Sequence, residues 1–339
     1  MDKNPRITVV LAGWEEKTFM PQAVKDRLSS ISDQIVYLDS LKFNDGAEVV
    51  EQLKKTEPEI LISAWTMPKL TDDTLEQVPS LKYLCFFAGS IKGTVPDVLL
   101  EKGLIVTNWG HSVARTVAET GLMLAIGGLR RAGFWTLEMH TRGGWKDRTT
   151  VQTGSLFGRK VGLHGFGVIS QELRRLLIPF GVPVMTYSPS VPDSLLEEQD
   201  VTRANDLEEL FSENDVIIEL AALTPKNTGI VTEELLRMIP EGGVFVNIGR
   251  GAVVDEEALA RVAVDGKIQV ALDVYGVEPL PADSPFRSID SILTLPHLGG
   301  PTTDRRQDAA LFGIDNIERY LAGESLQAQV TVEVNRRIT

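Results

Sequence analysis

Three side chains in the last third of the chain have the types that acid–base chemistry on an anion uses. Arg250 lies between two glycines in Val246-Asn-Ile-Gly-Arg-Gly-Ala-Val-Val-Asp255. Glu278 sits in Leu272-Asp-Val-Tyr-Gly-Val-Glu-Pro-Leu-Pro281, and His297 in Thr294-Leu-Pro-His-Leu-Gly-Gly300. Each follows an apolar run that reads as a β-strand. An arginine, a glutamate and a histidine therefore leave successive strands on the same edge of one sheet. In open α/β sheets that edge is where ligands bind. Taken singly, a loop arginine is ordinarily solvated, a glutamate before proline exposed, and a histidine structural. Their joint placement is what points to a site.

A fourth motif lies upstream. Gly165-Phe-Gly-Val-Ile-Ser170 follows a strand and opens a helix, which is the context a dinucleotide-binding turn requires. Gly165 permits the tight turn, and Gly167 lets backbone and helix N-terminus approach a pyrophosphate. The third glycine of that pattern, which serves helix–strand packing, is Ser170 here. Glycine spacing alone does not separate this turn from a generic strand–turn–helix. The acid expected at the end of the next strand, to grip a ribose hydroxyl, is Ser188. Serine can hydrogen-bond that hydroxyl but does not repel a 2′-phosphate. Ser188-Pro-Ser-Val-Pro-Asp193 also offers no arginine, and Arg203 and Arg174 qualify only if folding brings them near. The sequence leaves NAD against NADP open.

The elements that must position these residues alternate regularly. Strands are expected at Ile7–Leu11, Ile35–Leu38, Glu59–Ile62, Leu81–Phe87 and Leu104–Thr107, with helices around Ala23–Leu28, Ala47–Lys55, Asp73–Gln77 and Asp97–Lys102. The rhythm resumes with strands at Lys160–His164, Val182–Tyr187, Val216–Glu219, Gly243–Asn247, Ile268–Asp273 and Ser291–Leu295. Helices there fall around Gln171–Ile178, Leu207–Phe211, Thr232–Met238 and Glu256–Val264. This β-α-β pattern predicts α/β architecture: two doubly wound, Rossmann-like or flavodoxin-like modules of mostly parallel sheet covered on both faces. Between them Ser112–Arg131 is apolar around nearly its whole circumference and reads as a buried, domain-linking helix, with Ser112 as N-cap and Gly133 as stop. A last amphipathic helix, Asp304–Leu321, is closed by Gly323.

Bulk properties narrow the class. At 339 residues the chain is about twice the usual domain size, which implies two domains. Its 43% hydrophobic and 24% charged content is that of an ordinary globular protein. A net charge of −13 without a basic stripe argues against nucleic acid as a partner. The amino-terminal stretch has no long apolar segment of signal-peptide type, and no run approaches membrane-span length, so a cytoplasmic location is expected. Cys85, the single cysteine, falls in the apolar run Leu81–Phe87 and reads as a buried strand thiol. Four histidines, His111, His140, His164 and His297, none at ligand spacing, give no metal site.

The chain resembles the D-isomer-specific 2-hydroxyacid dehydrogenases. The resemblance runs over most of its length, through Gly103-Leu-Ile-Val-Thr-Asn108, Val117-Ala-Glu119, Gly144-Trp145, the Gly165 turn, Leu223-Thr-Pro225, Asn247–Asp255, Asp273–Pro281 and Pro296-His297. It implies a discontinuous substrate-binding domain of residues 1–108 plus 300–339 around an inserted dinucleotide-binding domain of 109–299, with a deep interdomain cleft. It also implies hydride transfer between a nicotinamide cofactor (NAD, with NADP not excluded) and a small 2-oxo or D-2-hydroxy acid. Arg250 would pair with the substrate carboxylate, its planar fork suiting two oxygens. His297 would be acid in reduction and base in oxidation, its unperturbed pKa of about 6.5 serving both directions. Glu278 would hold the other ring nitrogen.

On the same resemblance Gly165, Gly167, Val168, Ile169, Ser188, Thr224, Ile248, Gly249, Arg250, Asp273, His297 and Gly299 would line the cofactor, with Asp273 near the nicotinamide carboxamide. Ala88, Gly89, Ser90 and Ile91 would offer backbone N–H groups to the substrate carboxylate as an anion nest. Trp65, after the third strand, would shape the pocket, and a homodimer joined through the nucleotide domain is implied. Several positions depart from the family pattern. Besides Ser170 and Ser188, Val168 replaces a common basic residue, Glu219-Leu-Ala-Ala-Leu-Thr224 lacks the usual His and Pro, and Pro301 follows the histidine motif. Most of these fall on the cofactor side, so modest dinucleotide affinity is expected. The alternative is a dinucleotide-sensing, corepressor-like binding protein with weak or no turnover. Which 2-hydroxy acid is used, and in which physiological direction, are beyond the sequence.

Overall fold

The computed structural model describes residues 4–146 and 151–337, so the first three residues of the amino-terminal stretch lie outside the described residues. The chain divides into two compact units, one of Met1–Val113 with Pro301–Thr339 and the other of Ala114–Gly300.

The first unit carries β1 (Ile7–Leu11), α1 (Gly13–Phe19), α2 (Gln22–Ile31), β2 (Ile35–Asp39), α3 (Gly46–Thr56), β3 (Ile60–Ser63), α4 (Thr74–Gln77), β4 (Tyr83–Phe86), α5 (Asp97–Glu101) and β5 (Ile105–Thr107). Its five strands form a parallel sheet in the order β2-β1-β3-β4-β5. β1, β3 and β4 are buried at every residue, as continuous apolar runs covered on both faces must be. β2, at the edge, is only partly covered. Helix α1 occupies the polar stretch after β1, where no helix was expected. Buried Glu15 accepts the Ala12 N–H (2.9 Å) and the Thr66 N–H (3.0 Å), so a carboxylate inside the unit starts this helix. Cys85 is buried in β4, and burial pushes its thiol up to about 12.

The second unit opens with α6 (Ala114–Leu129) and α7 (Ala132–Leu137). It continues through β6 (Val161–His164), α8 (Val168–Leu177), β7 (Val184–Tyr187), α9 (Asp193–Glu198), β8 (Thr202–Arg203), α10 (Leu207–Glu213), β9 (Val216–Glu219), α11 (Glu233–Met238), β10 (Val244–Asn247), α12 (Glu256–Asp265), β11 (Gln269–Leu272) and β12 (Leu293–Thr294). All seven strands are parallel, in the order β12-β11-β10-β9-β6-β7-β8. The strand order reverses between β6 and β9, the switch point beside which open α/β sheets place ligands. The chain then returns to the first unit as α13 (Arg306–Ala322), packed on α1, α2 and β4, and α14 (Val332–Arg337), packed on α5.

Four expectations need correction. The Ser112–Arg131 helix runs only from Ala114 to Leu129. The Ser112 hydroxyl donates to the Trp109 carbonyl (2.6 Å) instead of capping it, and the break falls at Arg131, in the left-handed region (φ 56°), with Gly133 inside α7. Nor is α6 covered all round: Arg115, Glu119 and Met123, one turn apart, are exposed, while Val117, Ala118, Gly121, Leu124, Ala125 and Gly128 face β10, β11 and α8. Helix α8 begins at Val168, directly on the Gly167 N-cap, not at Gln171. The segment after β7 also holds α9 and β8, which composition did not reveal because both are short. Among the described residues, no helix is long and apolar enough to cross a membrane, and no group of three or more His, Cys, Asp or Glu residues could hold a metal ion.

Candidate active site

The polar residues that end the central strands of the second unit form a single row. Parallel register puts Tyr187, His164, Glu219 and Asn247 side by side across β7, β6, β9 and β10. Asp273 follows the last residue of β11. Each side chain of the last three shapes its own loop. Glu219 Oε1 accepts the Ala221 N–H (2.7 Å). Asn247 accepts the Gly249 N–H (3.0 Å) and donates to the Arg250 carbonyl (3.1 Å), which sets the turn presenting the guanidinium. Asp273 Oδ1 and Oδ2 accept the N–H groups of Leu298 (2.7 Å) and Gly299 (2.8 Å), and its carbonyl accepts that of His297 (2.9 Å). A buried acceptor at a strand end is satisfied by the first amides of its loop, and the loop is thereby fixed.

That last clamp holds His297 in the left-handed region (φ 53°), unusual for a residue with a Cβ. The imidazole has two further supports. Its Nδ1 stands 2.6 Å from Glu278 Oε2, while Glu278 Oε1 accepts the Tyr275 N–H (3.0 Å). The Tyr275 hydroxyl donates to the carbonyl of Leu295 (2.8 Å), and burial raises that phenol to about 12, so it remains a donor. With Nδ1 engaged by a carboxylate, Nε2 is the nitrogen left to exchange a proton with a bound molecule. The pair is not sequestered: the side chains of His297 and Glu278 are 47% and 34% exposed.

Arg250 is half-buried, and its Nη1 donates to the Gly249 carbonyl (2.7 Å). Burial lowers its pKa while Glu278 raises it, which places the guanidinium within electrostatic reach of the glutamate. The residue after it must be glycine, because a Cβ at Gly251 would lie 1.9 Å from the carbonyl carbon of Tyr275. The 250–251 and 275–278 segments are thus packed backbone to backbone, and the guanidinium, carboxylate and imidazole belong to one cluster. A cavity of about 580 Å³ opens beside it, lined by Tyr275, Leu280, Arg287 and Leu295 together with Glu278 and His297. Arg250 does not line that cavity, so it is not the space where guanidinium and imidazole would meet one molecule.

The glycine turn fits a dinucleotide. Gly165 has φ 91°, and a Cβ there would meet Ala221 at 3.0 Å. A Cβ at Gly167 would meet nothing within 4 Å, so open space lies above the backbone where α8 starts. Gly167 caps α8 without a side-chain acceptor, which leaves the first-turn N–H groups at Val168 and Ile169 directed at that space. Ser170 compensates for the missing glycine: it is buried, and its hydroxyl donates back to the Gly165 carbonyl (2.8 Å), locking the turn. Val168 is half-exposed, an apolar residue at the mouth of the turn. Ser188, buried at the end of β7, lines a recess of about 460 Å³ with Tyr187, Asp193 and Arg203. Arg203 is therefore brought close: it donates to the carbonyls of Ser188 (2.9 Å) and Val191 (2.6 Å) and pairs with Asp193 (2.6 Å). Arg174 is directed elsewhere, to the Gln199 carbonyl and Asp200.

Other expected contacts are occupied within the protein. Thr224 donates its N–H and hydroxyl to Asn227 Oδ1 (2.6 and 2.8 Å), and Ile248 is buried, packed toward Gly121 of α6. In the first unit the carbonyls of Ala88 and Gly89 accept from Trp109 N–H (3.2 Å) and Asn108 Nδ2 (2.9 Å). These contacts order the turn whose Ala88, Gly89, Ser90 and Ile91 amides were expected to form a nest. Trp65 is 40% exposed and stacked on Trp14 (6.1 Å, 14°), edge-on to Trp109 (5.9 Å), with the Arg306 guanidinium over its ring (5.2 Å). Sequence reasoning missed Glu219, Asn247 and Tyr275. The signal for the first two was present, since each ends an apolar strand run with a polar residue that a parallel sheet has no other reason to bury.

Comparison with known proteins gives the family. Residues 122–299 match the family model described as D-isomer specific 2-hydroxyacid dehydrogenase, NAD binding domain. The chain is 32% identical over 273 residues to glyoxylate/hydroxypyruvate reductase B of Pectobacterium atrosepticum, covering 78% of this chain and 84% of that one. It is 30% identical over 278 residues to D-3-phosphoglycerate dehydrogenase of Methanocaldococcus jannaschii, covering 82% of this chain but spanning only 52% of that relative. The crystal structure of the TT0316 protein from Thermus thermophilus has the same fold, with TM-score 0.77, 24% identity and coverage of 96% of this chain and 100% of that one. The chain belongs to the D-isomer-specific 2-hydroxyacid dehydrogenase family, oxidoreductases with a nicotinamide-dinucleotide-binding domain.

Proposed function

We infer that the protein reduces a small 2-oxo acid to the D-2-hydroxy acid, of the size of glyoxylate or hydroxypyruvate. The observation that carries this reading is the His297–Glu278 contact (2.6 Å) in the same cluster as Arg250. When bound, the nicotinamide dinucleotide supplies or accepts the hydride. The protein's own residues do the rest. Arg250 binds the carboxylate through its planar fork. His297 Nε2 delivers a proton to the carbonyl oxygen and recovers it in the reverse direction. Glu278 fixes the ring and stabilises its cationic form. Asn247 and Asp273 hold the two loops in register.

Gly165, Gly167 and the first turn of α8 would hold the pyrophosphate, with Ser188 at the adenosine ribose. Ser188 brings no charge to repel a 2′-phosphate and Arg203 shares its recess, which supports acceptance of NADP(H) beside NAD(H). In this reading the Ala88–Ile91 amides and Trp65 belong to a substrate-binding first unit, the protein works in the cytoplasm, and it forms a homodimer. Steady-state oxidation of NADH and NADPH across a panel of 2-oxo acids tests the reading. Turnover of a short 2-oxo acid that is lost in His297→Ala supports it. Tight cofactor binding without turnover of any acid contradicts it and points to a dinucleotide sensor.

A further inference from the structure

Beneath the dinucleotide turn lies a buried imidazole–carboxyl pair that the reaction does not use. His164 Nδ1 stands 2.5 Å from Glu219 Oε2, and the two side chains are only 6% and 0% exposed. They are direct cross-strand neighbours at the ends of β6 and β9, the two strands that flank the switch point. The Tyr187 ring lies against the imidazole from the other side, with centroids 6.1 Å apart.

The residue after His164 is Gly165, where the turn begins. Two residues after Glu219 comes Ala221, whose N–H is held by Glu219 Oε1 (2.7 Å). The backbone of Ala221 is what a Cβ at Gly165 would strike, at 3.0 Å. One carboxylate therefore ties together the two loops that form opposite walls of the dinucleotide turn. Leu220 N–H also donates to the His164 carbonyl (3.0 Å), so backbone and side chain act on the same junction. Burying an ionisable pair is costly unless its geometry does something an apolar pair would not.

We propose that His164 and Glu219 are positioning residues for the dinucleotide: the carboxylate bridge sets the gap between the Gly165 turn and the 220–224 loop, and so sets cofactor affinity. This rests on the assignment of that turn to the cofactor. Two strand ends that separate by a few tenths of an ångström would misplace the amides at Val168 and Ile169 while leaving the Glu278 and His297 loops untouched, since those hang from β11 and β12. The bridge is therefore a determinant of binding and not of proton transfer.

The test is calorimetric titration of NADH and NADPH, which needs no turnover, so that failure of this idea and absence of enzymatic activity are read separately. The double variant H164V/E219L removes both polar side chains together and leaves neither buried without its partner. Its Kd for the better dinucleotide should rise about tenfold, equivalent to ~1.4 kcal/mol, while its thermal midpoint without cofactor stays near the parent's. His164→Asn puts an amide nitrogen where Nδ1 stands and should restore binding to within about threefold of the parent, well under the ~1.4 kcal/mol of a decade. Ala221→Pro deletes the bridged N–H while leaving the pair intact, and decides the matter on the same scale if the double variant does not fold. Parent-like affinity in the double variant or in Ala221→Pro, or His164→Asn as weak as the double variant, overturns the proposal.

Discussion

Asp273→Asn is the substitution whose consequence follows most directly from the geometry. The parent carboxylate accepts two loop amides, Leu298 N–H on Oδ1 and Gly299 N–H on Oδ2, at 2.7 and 2.8 Å. Asparagine keeps one acceptor and turns an NH₂ group toward the other amide, so one buried N–H loses its charged partner at a cost of about 1–3 kcal/mol. His297 is held at φ 53°, a conformation that costs a residue with a Cβ ~1–2 kcal/mol, so the loosened loop has a reason to relax. If about 2–3 kcal/mol of imidazole placement is lost from the transition state, kcat falls about 30- to 150-fold. The assay is steady-state kinetics on the best 2-oxo acid with calorimetric Kd for the cofactor in parallel. A parent-like kcat refutes the clamp. So does an intact kcat with weakened cofactor binding, which would make Asp273 a nicotinamide contact and nothing more.

Further outcomes follow from other residues. Ser188→Asp places a carboxylate beside Arg203 and against any 2′-phosphate; the NADPH-to-NADH ratio of kcat/KM should fall by at least about tenfold, about 1.4 kcal/mol of discrimination, and an unchanged ratio would remove Ser188 from the ribose site. Arg250→Lys keeps the charge but loses the fork, so KM for the 2-oxo acid should rise more than kcat falls; equal KM values would detach Arg250 from the carboxylate. Gly251→Ala drives a Cβ into the Tyr275 backbone and should cost about 1–3 kcal/mol of stability, read by chemical unfolding; a parent-like midpoint contradicts the close approach. Cys85 should resist thiol reagents until the protein unfolds. Its thiol is raised from 9.0 to about 12, so the folded state keeps a proton the unfolded state releases. Stability from this group is present below pH 9 and is lost as pH rises toward 12, which pH-dependent unfolding would show. Rapid labelling of native protein at neutral pH would contradict it.

Much of this was legible in the sequence because parallel sheets announce themselves. Val216-Ile-Ile and Val244-Phe-Val are continuous apolar runs with no room for alternation, and the catalytic candidates stand just past such runs. Residue type and strand order put His297 and Glu278 on one sheet edge, and the family resemblance implied their partnership. Bounds were less readable where backbone conformation decides them: nothing in Leu129-Arg-Arg-Ala-Gly133 marks Arg131, rather than the glycine, as the residue that turns left-handed. Supports such as Glu219 with Ala221, or Asn247 with Gly249, were not apparent, because an acceptor at a strand end gains its meaning only from the amides that fold back over it. Asp273 was visible as a motif residue, yet its grip on Leu298 and Gly299 spans 25 and 26 positions of chain that only the fold brings together. Arg203 reached Ser188 through the short strand β8, which has too few residues to leave a periodic trace.

The central claim is that the imidazole of His297, seated on Glu278 beside Arg250, moves the proton of a 2-oxo acid reduction. Its most direct test is kcat for NADH or NADPH oxidation with the best acid of the panel, measured in His297→Ala against the parent at saturating substrate. Loss of a positioned acid–base catalyst predicts a fall of about 10²- to 10⁴-fold with cofactor Kd retained. A variant that turns over at the parent rate would contradict the account.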